Sequence, residues 1–278
     1  MNTESSLQAA PGVRRADRGA GVGRAARSRH LTAVASALSG PVAILAGLVV
    51  WKLVVVAGDY PQFVLPAPER VAARFAAAVA DGTWWGHTRT TLVESLLGFA
   101  LGFALATTLG YALAQAPFLE RLLAPYIAAS QALPVIAIAP LLLLWFGFGL
   151  LPKVLVAALV VFFPILVNTV AGLRGIDPSL REMALISGAS RLQLLALVEL
   201  PLSLPTLLSG VKIGFTLAIT GATVAEFMGA DRGLGLLLNV SKGLFDTPLL
   251  FVALVTLVGM AMLAYGTVSL LERLLVRW

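Results

Sequence analysis

Long apolar runs alternate with short polar connections through most of the chain. The six runs lie at residues 42–57, 92–114, 123–146, 154–173, 207–227 and 249–271. A helix needs about 20 consecutive apolar residues to cross the hydrocarbon core of a bilayer. Hydrophobic residues make up 59% of the chain, charged residues only 12%, and the mean hydropathy is +0.92, unlike a soluble domain. We therefore predict an all-α polytopic membrane protein with about six transmembrane helices.

One polar stretch, residues 177–205, carries helix signals of its own. Asp177 can accept hydrogen bonds from free backbone N–H groups at a helix start, and Pro178 suits the first helical position because its missing N–H would have no partner there. Gly188 can adopt the left-handed conformation that closes a helix. These residues predict a helix that begins at Pro178 and ends in a tight turn at Gly188.

A second short helix should follow this turn. Ser190 and Gln193 have the Ser-x-x-Gln spacing of a capping box, which predicts a helix over residues 191–199. Pro201 and Pro205 should interrupt that helix, because proline lacks a backbone N–H and disfavours a helical conformation in the residue before it. We expect the chain to turn there, so that the polar stretch forms a helix-turn-helix elbow.

The sequence of this elbow resembles a known family motif. It reads Glu-Met-Ala at residues 182–184, Gly188 after three further residues, and Val-Glu-Leu-Pro at residues 198–201 after nine more. The pattern is similar to the EAA loop, E-A-A-x3-G-x9-I-x-L-P, of permease subunits in binding-protein-dependent ABC importers, with apolar replacements at Met183 and Val198. The alternative, an ordinary amphipathic loop helix facing water, would explain neither the glycine nor the proline at these distances.

The resemblance implies that a coupling loop, residues 174–205, docks on a partner ATPase. The residues it implies at or beside that contact are Glu182, Ala184, Gly188 and Arg181, with Pro201 in a supporting role. It also implies two ATPase subunits, a soluble extracytoplasmic substrate-binding protein, membrane lipid, and a second permease copy, as a homodimer or with a close homologue. ATP would be used by the ATPase subunits, and this chain would bind no cofactor.

Two further segments resemble one class within this family. LPAPERV at residues 65–71 is similar to the LPSPxxV segment of the nitrate, sulfonate and taurine permeases, and LPVIAIAPLLLLWFGFG at residues 133–149 is similar to the family's third-span signature. This class implies a small anionic solute of the sulfonate, taurine or nitrate type. The alternatives are a heterocyclic vitamin precursor carried by the same class of importer, and an ion-coupled secondary transporter.

The chain lacks the sequence signatures of an enzyme. It contains no nucleotide-binding P-loop and no catalytic arrangement of Ser, His and Asp. With no cysteine and only two histidines, His30 and His87, we expect no metal site. We also expect no pair of carboxylates buried together in the spans. Lys52, Lys212 and Glu226 lie near predicted span ends. Ion-coupled transporters usually carry ionisable residues near the bilayer midplane, so the energy should come from the partner ATPase.

Polar side chains within the predicted spans are candidates for the translocation pathway. They are Gln131, Asn168, Thr216, Thr220 and Thr223. An unpaired amide is costly in hydrocarbon, so Asn168 is expected to bond to a neighbouring helix, with contact to the solute as the alternative. The threonines share one helix face, although they could instead bond to carbonyls of their own helix.

Small residues recur at every fourth position of the second apolar run. They are Gly98, Gly102, Ala106, Gly110 and Ala114. Small side chains on one face allow another helix backbone to approach closely. We predict that this face packs against another helix, and a pore lining is the alternative.

Basic residues are distributed unevenly along the chain. Residues 1–38 contain six arginines and almost no large apolar side chains, which predicts a disordered cytoplasmic tail before the permease domain at residues 39–278. With six spans and an internal amino terminus, twelve basic residues lie inside and six outside, in agreement with the positive-inside rule. This distribution places the elbow in the cytoplasm, the family resemblance implies the bacterial cytoplasmic (inner) membrane, and we expect no nucleic-acid partner.

Overall fold

The computed structural model describes residue 40, residues 42–130 and residues 134–276. Two units divide the chain, Met1–Asp59 and Tyr60–Trp278. The described part of the first unit is an apolar helix, α1 (Val42–Gly58). The tail predicted at residues 1–38 lies outside the described residues.

Helices joined by short connections make up the described part of the second unit. In chain order they are α2 (Pro68–Ala80), α3 (Thr83–Gln115), α4 (Pro117–Ser130), α5 (Val135–Phe146), α6 (Leu150–Arg174), α7 (Pro178–Ile186), α8 (Arg191–Leu194), α9 (Leu200–Met228), α10 (Leu234–Gly243) and α11 (Thr247–Leu275). A π-helical segment, Leu195–Glu199, joins α8 to α9. This architecture confirms the all-α prediction.

Four helices of the described chain are long and apolar enough to cross a membrane. They are α3, α6, the continuous helix Arg191–Met228, and α11, whereas α1 and α5 are apolar but shorter. The prediction of one helix over residues 123–146 is wrong, because α4 ends at Ser130 and α5 begins at Val135. Pro134 precedes α5 in an extended conformation, and its ring nitrogen has no N–H with which to continue a helix from α4.

The small residues of α3 face α6 at very short range. All five of them are buried. A Cβ atom added to Gly102 would lie 2.7 Å from the carbonyl oxygen of Ala158, and one added to Gly110 would lie 2.8 Å from the Cβ of Thr169. The packing interpretation of this face is therefore confirmed.

Helix α6 meets α9 through glycines as well. A Cβ atom on Gly221 would lie 2.8 Å from the Cα of Ala157, and one on Gly210 would lie 2.7 Å from the Cβ of Asn168. Helices α3 and α9 thus both pack closely on α6, and each contact places backbones closer together than a larger side chain permits. The three helices form the centre of the unit.

We predict that Gly102→Ala lowers the thermal stability of the purified protein, whereas Gly259→Ala does not. The new methyl group at residue 102 would press on the backbone of α6, and overpacking of this kind costs about 1–3 kcal/mol. At residue 259, on α11, a Cβ atom would meet nothing within 4 Å. The melting temperature of each variant in the same detergent checks this, and equal melting temperatures for the two variants would contradict the close α3–α6 contact.

Candidate functional site

The elbow begins with the predicted first helix and turn. The Ser179 backbone N–H donates to Asp177 Oδ1 at 2.9 Å, and this bond lowers the pKa of the exposed Asp177 carboxyl below its usual value. Pro178 occupies the first position of α7. Gly188 follows the helix with φ of +85°, the left-handed conformation that favours glycine. The predicted start of α7 and the predicted turn are both confirmed.

The predicted capping box opens α8. The Gln193 backbone N–H donates to Ser190 Oγ at 3.3 Å, and the Ser190 backbone N–H donates to Gln193 Oε1 at 2.8 Å. Each bond satisfies an N–H group that lacks a partner at a helix start. Together with α7 and the Gly188 turn, this start of α8 completes the helix-turn-helix elbow.

The prediction that the chain turns at the two prolines is wrong. The helix continues from Arg191 to Met228 through the π-helical segment, and both Pro201 and Pro205 lie within α9. The Leu200 N–H bonds to the carbonyl of Leu195, five residues back instead of four. A π turn widens the helix locally, and this relieves the clash and the missing bond that proline causes in a regular α-helix. Pro201 therefore lies in the first turn of α9 and does not end a helix.

Buried polar contacts fix the inner side of the elbow. Arg181 Nε lies 3.1 Å from Glu199 Oε1, and Arg181 Nη2 donates to the carbonyl of Leu173 at 2.6 Å. Gln115 Nε2 donates to Glu199 Oε1 at 3.3 Å. The Glu199 side chain is only 1% exposed, so its charge depends on these partners. Arg181, predicted beside the partner contact, thus points into the bundle and ties α7 to the end of α6 and the start of α9.

The outer side of the elbow combines a carboxylate with large apolar side chains. Glu182 is exposed, Ala184 is half-buried, and Gly188 is exposed at the turn. Beside them Met183 and Ile186 are exposed, and Ile186 keeps 87% of its surface accessible to solvent. Apolar side chains this exposed on a short helix between spans are typical of a surface that another protein covers.

The predicted pathway residues bond to their own helices where they are described. Asn168 Nδ2 donates to the carbonyl of Pro164 at 2.8 Å, so the expected bond to a neighbouring helix is wrong. The hydroxyls of Thr216, Thr220 and Thr223 donate to carbonyls four residues earlier in α9, which is the alternative open for them. Gln131 lies outside the described residues. These bonds each lie within a single helix, and the pathway assignment of these residues stays a prediction.

Sequence reasoning missed a buried cluster of ionisable side chains. Glu94 of α3, Lys153 of α6 and Glu226 of α9 are all buried, Lys153 Nζ lies 2.9 Å from Glu94 Oε1, and the carboxyl groups of Glu94 and Glu226 are electrostatic neighbours. The expectation that no two carboxylates lie buried together in the spans is therefore wrong. One signal was available in the sequence: Glu94 lies within the apolar run at residues 92–114, and α3, which begins at Thr83, places it well inside the helix.

Lys212 also differs from its expected position near a span end. Its helix begins at residue 191 rather than 207, so Lys212 lies far from that end. The Lys212 ammonium forms an ion pair with Glu272 of α11 and lies 5.6 Å from the centre of the Tyr265 ring. Lys153 and Lys212 are therefore each paired with a carboxylate on another long helix.

Two relatives show how far the sequence similarity extends. The chain is 54% identical over 242 residues to the riboflavin transport system permease protein RibX of Chloroflexus aurantiacus, covering 87% of this chain and 90% of that protein. It is 35% identical over 238 residues to the putative aliphatic sulfonates transport permease protein SsuC of Escherichia coli, covering 86% and 89%.

A solved structure and a family model identify the fold and the family. A chain of the MetNI methionine ABC transporter superimposes with a TM-score of 0.60 at 20% sequence identity, over 69% of this chain and 95% of that chain, which shows a shared fold. Residues 98–277 match the family model described as the inner membrane component of binding-protein-dependent transport systems. The chain belongs to this family of ABC importer permeases.

Proposed function

We propose that the elbow is the surface through which this permease subunit couples to a partner ATPase. The observation that carries the proposal is its two-sided construction. Its outer side exposes Glu182 and Ile186, and its inner side is fixed to buried Glu199 through Arg181. A surface that only faced water would need neither the exposed apolar side chains nor a buried charge behind it.

The contacts of Arg181 suggest how force would pass from the elbow to the spans. Its guanidinium bonds to the carbonyl of Leu173 at the end of α6 and pairs with Glu199 at the start of α9. A displacement of α7 would therefore pull both helices. We propose that closure of two ATPase subunits on ATP draws the elbows of two permease copies together and reorients α6 and α9 around the pathway.

The proposed assembly contains further partners. Membership of the binding-protein-dependent family supports an extracytoplasmic binding protein and partner ATPase subunits. We propose a homodimer of this chain in the bacterial inner membrane, with the elbow on the cytoplasmic side, and no ATPase site on this chain. The uneven distribution of basic residues supports this orientation.

For the solute we propose a flavin-type heterocycle, riboflavin first. The support is the 54% identity to a riboflavin permease, against 35% to a sulfonate permease. The contacts of Lys153 and Lys212 also favour a heterocycle over an anion. Each ammonium is paired with a carboxylate and offers no free positive charge to an anionic solute. An aliphatic sulfonate is the second candidate, supported by the likeness to SsuC along nearly the whole chain.

We predict that Glu182→Lys abolishes capture of the ATPase subunits without loss of the permease from the membrane. Glu182 is exposed, so the reversed charge alters the outer surface of the elbow and leaves its buried anchor intact. Co-purification in mild detergent measures the capture. Asp231→Lys, a charge reversal at an exposed carboxylate after α9, serves as the matched control and should capture ATPase normally. Normal capture by Glu182→Lys would contradict the docking assignment.

We predict ATP-dependent, saturable uptake of labelled riboflavin by proteoliposomes that contain the permease, its ATPase and its binding protein. A large excess of taurine or an alkanesulfonate should leave this uptake unchanged, because the proposed solute is recognised as a heterocycle and not as an anion. Uptake of labelled sulfonate in place of riboflavin would reject the first candidate and support the second.

A further inference from the structure

The buried cluster lies at the end of α9 that is farthest from the elbow. Glu226 is two residues before the last residue of a helix that runs from Leu200 to Met228, roughly 40 Å along its axis from Glu199. Lys153 Nζ lies 2.9 Å from Glu94 Oε1, and the Glu226 side chain is 0% exposed. Burial of three ionisable groups is costly unless each has partners, so the arrangement of those partners indicates what the cluster does.

Glu226 holds the beginning of α10. The Gly235 backbone N–H donates to Glu226 Oε2 at 2.7 Å, and Thr91 Oγ1 of α3 donates to Glu226 Oε1 at 2.7 Å. The Leu234 backbone N–H in turn donates to Thr91 Oγ1 at 2.8 Å. The first N–H groups of a helix have no partner within it and favour a negative group. A side chain of α9 and one of α3 therefore cap a helix that neither belongs to.

Glycines at the beginning of α10 allow this contact. A Cβ atom on Gly233, which has φ of +127°, would overlap the Glu226 carboxyl, and one on Gly235 would lie 2.8 Å from the Cβ of Glu226. His87 adds a bond on the α3 side, where its Nδ1 lies 3.0 Å from the Gly233 nitrogen. The start of α10 is thus held directly against the end of α9.

Lys153 and Glu94 form the other part of the buried cluster. Lys153 Nζ lies 2.9 Å from Glu94 Oε1, and Glu94 Oε2 is buried with no hydrogen-bond partner among the described residues. Glu226 therefore acts in this cluster through its hydrogen bonds to Gly235 and Thr91.

We propose that Glu226 is the positioning residue of a gate formed by α10. The helix is only ten residues long and contacts α3, α9 and α11 at the end of the bundle opposite to the elbow. A permease driven from the elbow must open its pathway to the solute at that opposite end. Glu226 keeps α10 docked there in the resting state. The inference rests on the proposed coupling role of the elbow and is independent of which solute is carried.

Single cysteines can test this gate, because the natural sequence contains none. Ser241 of α10 is 0% exposed, so Ser241→Cys reports undocking of α10. The assembled transporter with its ATPase is placed in nanodiscs and treated with a membrane-impermeant methanethiosulfonate. Leu244→Cys, at a side chain that is 72% exposed, is the positive control and should react in every background.

We expect slow modification of Ser241→Cys in the otherwise native transporter, and a rate about tenfold or more higher when Glu226→Ala is added. The alanine leaves the first N–H groups of α10 without their partner, so α10 opens more often. Glu226→Gln should stay close to the native rate, because its amide oxygen can still accept from the Gly235 backbone N–H. Vanadate trapping with ATP should also raise the rate in the native transporter, since the gate is then released.

Further controls separate this role from a general loss of structure. Asp231→Ala changes an exposed carboxylate in the connection between α9 and α10. It should leave Ser241→Cys protected. Thr91→Val keeps the size of the side chain but removes its bonds to Glu226 and Leu234, and should raise the rate if Glu226→Ala fails to reach the membrane. Each variant is scored only where it still captures the ATPase.

Three results would overturn the proposal. Glu226→Ala and Thr91→Val could both leave Ser241→Cys protected, which would show that the cap does not position α10. Glu226→Gln could react as fast as Glu226→Ala, which would contradict the hydrogen-bonded role. Vanadate trapping could leave the native rate unchanged, which would show that α10 is a fixed part of the fold. Riboflavin plays no part in the assay, so a wrong solute assignment would leave these results unaffected.

Discussion

The ion pair between Arg181 and Glu199 is the interaction on which the elbow depends. A carboxylate as deeply buried as Glu199 is stable only when its charge is compensated and hydrogen-bonded. Arg181 supplies that compensation from α7, and Gln115 adds a bond from α3. The cost of leaving Glu199 unpaired therefore fixes the position of the elbow. The same ion pair links a movement of the elbow to α9.

The centre of the bundle can carry a displacement because its helices touch through their backbones. Gly102 and Gly110 place α3 against α6, and Gly210 and Gly221 place α9 against α6 as well. Helices in backbone contact have no flexible side chains between them that could absorb a displacement. A movement of α9 is therefore transmitted to its neighbours. One buried glutamate near each end of α9 then links two short elements, the elbow through Glu199 and α10 through Glu226.

Local signals in the sequence were enough to predict the elbow and the packing face of α3. Asp177, Gly188 and the capping box of Ser190 act within a few residues, and the small residues of α3 follow helix periodicity directly. The continuous helix through Pro201 was not predictable by the same means. The usual effect of proline assumes a regular α-helix, and the π turn before it changes which carbonyl each N–H meets.

The buried cluster was missed because its partners are distant in sequence. Lys153 is 59 residues from Glu94, and Thr91 is 135 residues from Glu226, so no spacing rule could connect them. The pathway candidates stay a prediction for a different reason. Hydroxyl and amide side chains in a helix can bond to carbonyls of their own helix, as Asn168 and Thr223 do, and composition alone cannot distinguish this from contact with a solute.

The most direct test of the account is the amount of solute carried per ATP hydrolysed when the link between the elbow and α9 is removed. The double variant Arg181→Met, Glu199→Gln leaves no unpaired buried charge and should still assemble with the ATPase. We expect its ratio of transport to hydrolysis to fall by about 5- to 150-fold, the range of a lost coupling free energy of about 1–3 kcal/mol. Arg181→Lys keeps a positive charge beside Glu199, so the amount of solute that it carries per ATP should lie between those of the native protein and the double variant. A double variant that carries the native amount of solute per ATP would show that the elbow does not act through Glu199.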